Sequence, residues 1–171
     1  MSRVHPHDQS LRVLSARAKA VPIVSTLAGS LLALMPIVAT VPLLPPFGLL
    51  TLLAWKLLRP ELWPVWIGLP LGLFDDLVSG EPIGTAMALW TLALLMIDAV
   101  EQRLLWRDYW QEWLMAGIAI VLVIGGGWLA AQWMGAPLRF RVLLPQLVTA
   151  VLCFPVVGRL CAILDRWRLA R

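Results

Sequence analysis

The sequence predicts an all-α integral membrane protein built as a six-transmembrane-helix bundle. Three observations lead there. Of 171 residues, 60% are hydrophobic and 14% charged, with mean hydropathy +0.82, whereas an ordinary soluble domain carries about 25% charged residues. Six apolar runs can be drawn, and at roughly 20 residues per crossing they use most of the chain. The basic residues lie mostly between those runs, in the pattern of topology signals rather than of a nucleic-acid surface.

Residues 1–20 form a basic N-terminal segment carrying Arg3, Arg12, Arg17 and Lys19. The apolar stretch that follows, 21–44, is too long for the core of a signal peptide. No small-x-small cleavage site follows it, so an uncleaved first span over 21–39 is expected. The second span, 42–58, is the least secure. Pro42, Pro45 and Pro46 crowd its start and Lys56 enters its end, so it reads as short, tilted or partly re-entrant. The third, 62–77, holds Gly68 and Gly72 at GxxxG spacing with Pro70 between them. Small residues at that spacing let a second helix approach, and Pro70 removes a backbone donor. The fourth span is 83–98.

A link over 101–112 mixes charges with Leu104, Leu105, Trp106, Tyr109 and Trp110, as a segment lying in the membrane interface does. The fifth span, 113–134, contains Gly125, Gly126 and Gly127. Without a following Lys-Ser/Thr this triplet is a packing surface, not a phosphate loop. The sixth, 142–164, carries Cys153 and Cys161. About 12 Å of helical rise separates them, too far for a disulfide. Residues 165–171 read as a basic tail. The six spans, 21–164, make one domain with no repeat or linker.

Orientation follows from the fourteen Lys and Arg residues. With the N-terminus inside, only Arg139 and Arg141 fall outside and the other twelve stay in, which supports six spans with both termini cytoplasmic. Trp55, Trp63, Trp66, Trp106, Trp110, Trp113 and Trp167 fall near the inner boundary, Trp128 and Trp133 near the outer one, and Trp90 mid-span.

The chemistry concentrates in residues 72–84, GLFDDLVSGEPIG. A carboxylate at bilayer depth costs on the order of 2.5–3.5 kcal/mol, so Asp75 and Asp76 are expected to face protein or water and to serve a purpose. Vicinal side chains on a helix diverge by about 100°, so the two do not converge on one ion unless the helix unwinds, and no metal site is expected. Ser79, Gly80, Pro82 and Gly84 then turn the chain. Two readings stand side by side: a carboxylate accepting hydrogen bonds from amides freed at the turn, or a plain outer loop with solvated acids. His5 and His7, the only histidines, precede the first span. No nucleophile–base pair falls in the spans, so neither catalysis nor a cofactor is expected.

Gly72, Asp76, Ser79, Gly80, Pro82 and Gly84 match the ending of the third span in the MreD family, which this chain resembles. Ile83 stands for the usual leucine, and Asp75 departs from the pattern, an apolar residue being commoner there. The resemblance implies a non-enzymatic inner-membrane scaffold of the bacterial elongation (rod) complex. It would bind the bitopic protein MreC, within an assembly containing MreB, RodA and a class B penicillin-binding transpeptidase, and help organise peptidoglycan synthesis and cell shape. It also implies a bundle similar to the substrate-binding S-components of energy-coupling-factor transporters. Gly68, Gly72, Asp75, Asp76, Ser79, Gly80, Pro82 and Gly84 are the expected structural or partner motif. The competing reading is a small-molecule-binding transporter subunit, with Asp75, Asp76 and Glu81 at the mouth of an outward pocket.

Overall fold

The computed structural model describes residues 20–34, 44–80, 82–102, 109–135 and 140–169. These form six α-helices and no strand: α1 (Ala20–Leu31), α2 (Phe47–Leu58), α3 (Gly68–Ser79), α4 (Thr85–Glu101), α5 (Tyr109–Trp133) and α6 (Leu144–Leu169). Short 3-10 turns precede α3 and α6 and extend α1. Two helical stretches, Trp110–Trp133 and Phe140–Leu169, are long and apolar enough to cross a membrane. α2 and α3 have twelve residues each and rise only about 18 Å, well short of a ~30 Å hydrocarbon core.

The second apolar run, the least secure from sequence, forms the centre of the bundle. Every residue of α2 from Gly48 to Leu57 is buried. The chain there is apolar all round, and a helix of that kind is stable only when covered on all sides. α6, α5 and α4 supply the cover. Trp55 and Trp63 are core residues, and the Trp55 indole donates to the Ser25 hydroxyl at 2.8 Å. α5 and α6 instead turn large apolar side chains outward. On α6, Val148, Leu152, Val156 and Leu160 recur every four residues and are all exposed, the stripe expected of a helix bathed in an apolar solvent. Hydroxyls in this setting fold back on their own helices: Thr26, Thr51, Thr91 and Thr149 each donate to the carbonyl four residues earlier, which satisfies them without water.

α6 also runs on to Leu169, five residues into the segment read as a basic tail, with Asp165 and Arg168 buried. Pro155 sits inside this helix. Having no N–H, it leaves the Val151 carbonyl without its intrahelical donor. The Trp113 indole N–H from α5 takes that place at 3.3 Å. Pro70, by contrast, falls in the first turn of α3, where its missing donor is tolerated.

α3 packs chiefly on α4, and glycines set the distance between them. A Cβ on Gly72 would lie 2.6 Å from Met87 Cα, and one on Gly68 would lie 2.9 Å from Thr91 Cα. The helix meeting this GxxxG face is therefore α4 of the same chain. Because the obstructing atoms are backbone, they cannot swing aside. Gly72→Ala is expected to destabilise the bundle by about 1–3 kcal/mol through overpacking. Gly117→Ala, where an added Cβ meets nothing within 4 Å, should be neutral or stabilising, since alanine is the better helix former by about 1 kcal/mol. Thermal unfolding of both variants in detergent checks the pair, and equal melting temperatures would contradict the close-packing account.

Candidate functional site

The α3–α4 turn is built around one side chain. Asp76 is 1% exposed, although it projects from the last turn of α3. Its Oδ2 accepts the Gly84 N–H at 2.8 Å and the Met87 N–H at 3.4 Å, and its Oδ1 accepts the Ala86 N–H at 2.8 Å. The Thr85 N–H donates to the Pro82 carbonyl at 3.1 Å. The first four amides of a helix have no intrahelical partner. At α4 all four are accounted for, three of them by one carboxylate reaching across from the neighbouring helix. The negative charge also lies at the positive end of the α4 dipole, a favourable placement.

The turn residues make that reach possible. Gly80 ends α3 in the left-handed region, φ 71°, with its N–H donating to the Asp76 carbonyl at 3.1 Å, and Gly84 precedes α4 at φ 101°. Neither would clash if given a Cβ, so both are glycines for backbone conformation rather than for space. A side chain in that region costs about 1–2 kcal/mol per residue. The Ser79 hydroxyl donates to the Asp75 carbonyl at 2.7 Å, closing the last turn of α3. Pro82 is exposed between the two glycines, and Glu81 lies outside the described residues.

Asp75 points elsewhere. It is half-buried and lines a cavity of about 310 Å³ between the α3–α4 turn and helices α5 and α6. One carboxylate oxygen also approaches Gly48 of α2, whose other close neighbour is Ser30 of α1. Ser30 is buried and in electrostatic contact with Asp75, but its hydroxyl makes no hydrogen bond of standard geometry. The vicinal acids thus diverge, one onto backbone amides and one into a cavity.

A second polar cluster, at the opposite end of α2, was not singled out from sequence. Lys56 is 3% exposed. Its ammonium pairs with Asp98 of α4 and donates to the Trp63 carbonyl at 3.0 Å and, more weakly, to the Pro60 carbonyl at 3.5 Å. Asp165 of α6 accepts from Arg59 at 3.0 Å through one oxygen and from Arg168 Nε at 2.7 Å through the other. The Arg168 guanidinium also lies 5.0 Å from the Trp55 ring centroid, within cation–π range. Sequence reading treated Lys56, Arg59 and Arg168 only as topology signals. The signal available was an acid at the end of a later apolar run for the bases at the end of the second: Asp98 for Lys56, Asp165 for Arg59.

Two sets of variants separate these roles. Asp76→Leu strips the acceptor from three amides and is expected to cost roughly 3 kcal/mol or more, since leaving a buried donor unpaired costs about 1–3 kcal/mol. Asp75→Leu, which unpairs no amide, should be milder in membrane accumulation and in melting temperature; equal or reversed effects would show that the capping account is wrong. At the other end, Lys56→Met alone removes the partner of Asp98, which is 31% exposed, so the loss should fall below the roughly 3–5 kcal/mol of a fully buried pair, with most of it recovered in the Lys56→Met/Asp98→Leu double variant. Additive losses in that cycle would mean the two residues are not coupled.

Comparison with curated proteins finds no match, nor does comparison with solved structures. Comparison with protein families does: the family described as rod shape-determining protein MreD matches residues 19–158, a span that runs from the start of α1 well into α6 and contains the whole α3–α4 turn. By that match over most of its length, the chain belongs to the MreD family.

Proposed function

We propose that this protein is a non-enzymatic scaffold of the bacterial rod complex, held in the inner membrane by its six-helix bundle with both termini cytoplasmic. In this reading it binds MreC and helps organise peptidoglycan synthesis by an assembly that includes MreB, RodA and a class B penicillin-binding transpeptidase. Its bundle is similar to those of energy-coupling-factor S-components. Family membership supplies the role in rod shape.

The observation that carries the scaffold reading is where the charge goes. Among the described residues, the buried charged side chains Lys56, Asp76, Asp165 and Arg168 are all engaged inside the bundle, in helix capping or ion pairs. Ionisable groups used this way hold a shape. What the fold offers outward is apolar surface, on α1, α3 and α4 as well as on α5 and α6, which suits helix-to-helix association within a bilayer, where close van der Waals packing drives assembly.

The test is capture of MreC. Tagged protein co-expressed with MreC of the same organism and purified from membranes should retain it stoichiometrically through size exclusion. A monodisperse, thermally stable preparation that leaves MreC behind would overturn the reading.

A further inference from the structure

We propose that the cavity between the α3–α4 turn and helices α5 and α6 is a binding site for a small organic ammonium ion, with Asp75 as its counter-charge. The cavity, about 310 Å³, falls at the lower end of the range for small-molecule sites, roughly 300–1,000 Å³. Its lining is mostly apolar with a few polar groups: Asp75, Thr85 and Gln146 among the walls, with the indoles of Trp90 and Trp128. Gly127 also borders it, and a Cβ there would meet nothing within 4 Å, so the missing side chain leaves the space open.

Three features set the chemical class. Asp75 carries the charge. Asp76 is fully committed to the α4 amides, and among the described residues no Lys or Arg forms an ion pair with Asp75. An acid set among apolar helices usually has a counter-charge or a functional task. Behind Asp75 lies the buried Ser30 hydroxyl, in contact with that carboxylate. Trp128 supplies what an alkylammonium favours over a hydrated metal ion, a polarisable group in the wall that attracts cations, while Trp90 borders the cavity but is 1% exposed. A divalent metal is a poor fit, because it needs several oxygen ligands and among the described residues Asp75 is the one carboxylate that borders the cavity. An anion is excluded by that same carboxylate. A compact cation with an apolar body satisfies both walls.

The inference goes beyond the scaffold reading and is independent of it: MreC capture decides one, ammonium binding the other. The experiment is thermal unfolding of the purified full chain at constant ionic strength, titrated with choline and with phenethylamine. Each is paired with a neutral analogue, 3,3-dimethylbutan-1-ol and 2-phenylethanol. The expected result is a saturable rise in melting temperature with at least one ammonium and none with its neutral analogue. Asp75→Asn should weaken the apparent affinity about tenfold or more, equivalent to losing about 1.4 kcal/mol. Gly127→Leu, which fills the cavity without touching Asp75, should abolish the response while leaving the unliganded melting temperature near wild type. No response to either ammonium, equal responses to the neutral analogues, or unchanged affinity in Asp75→Asn would each overturn the proposal.

Discussion

A helix that begins in an apolar environment must dispose of four amide hydrogens, and the start of α4 is where this fold meets that requirement. The carboxylate of Asp76 takes three of them, and the surrounding sequence is arranged so that it can. Gly68 and Gly72 let α3 lie against the α4 backbone, which brings Asp76 within hydrogen-bond distance. Gly80 and Gly84, both at positive φ, reverse the chain within five residues. Were α3 held further away by side chains, the carboxylate would fall short and the amides would face hydrocarbon unpaired, at about 1–3 kcal/mol each. The close approach and the cap are one device seen at two depths.

The other end of α2 is held by charge rather than by backbone. Lys56 ties α2 to α4, and Asp165 joins Arg59, just past the end of α2, to Arg168 of α6. Buried ion pairs add little net stability compared with apolar packing, but a single broken pair is severe. Their effect here is to fix which helices meet and in what register, since an apolar surface alone gives many near-equivalent packings. Apart from Gly48, Thr51 and Lys56, α2 is all Leu, Ala and aromatic surface. The specificity of its placement comes from its ends.

Much of this was legible in the sequence, and the exceptions have a physical pattern. The helix count and all-α class followed from composition and run length. Residues 72–84 stood out because acids, glycines and a proline are conspicuous among apolar neighbours. Two things were hidden. The burial of α2 was masked because prolines at its start and Lys56 near its end look like faults in a membrane span, whereas in a short central helix they are a start signal and an anchor. The partners of Asp76 and Lys56 lie eight to eleven and forty-two residues away, and single-sequence patterns speak to neighbours at three or four residues, not to helices meeting in space. Tryptophan was opaque for a related reason: position in the sequence does not say which indoles the bundle encloses, and Trp55 and Trp63 are both core residues.

Pro155 and Trp113 show how such long-range partnerships constrain later change. The proline exposes the Val151 carbonyl on α6, and the indole of α5 covers it. Replace the tryptophan first and an acceptor is left bare in an apolar groove. Replace the proline first and the restored amide joins the indole on one carbonyl oxygen, whose two lone pairs can hold both donors. Trp113 is therefore the position that cannot drift alone, because while the proline stays the indole is the donor that covers this carbonyl. Trp113 and Pro155, forty-two residues apart in the chain, are thus coupled in one direction: the proline can be lost before the tryptophan, but the tryptophan cannot be lost before the proline without leaving that carbonyl bare.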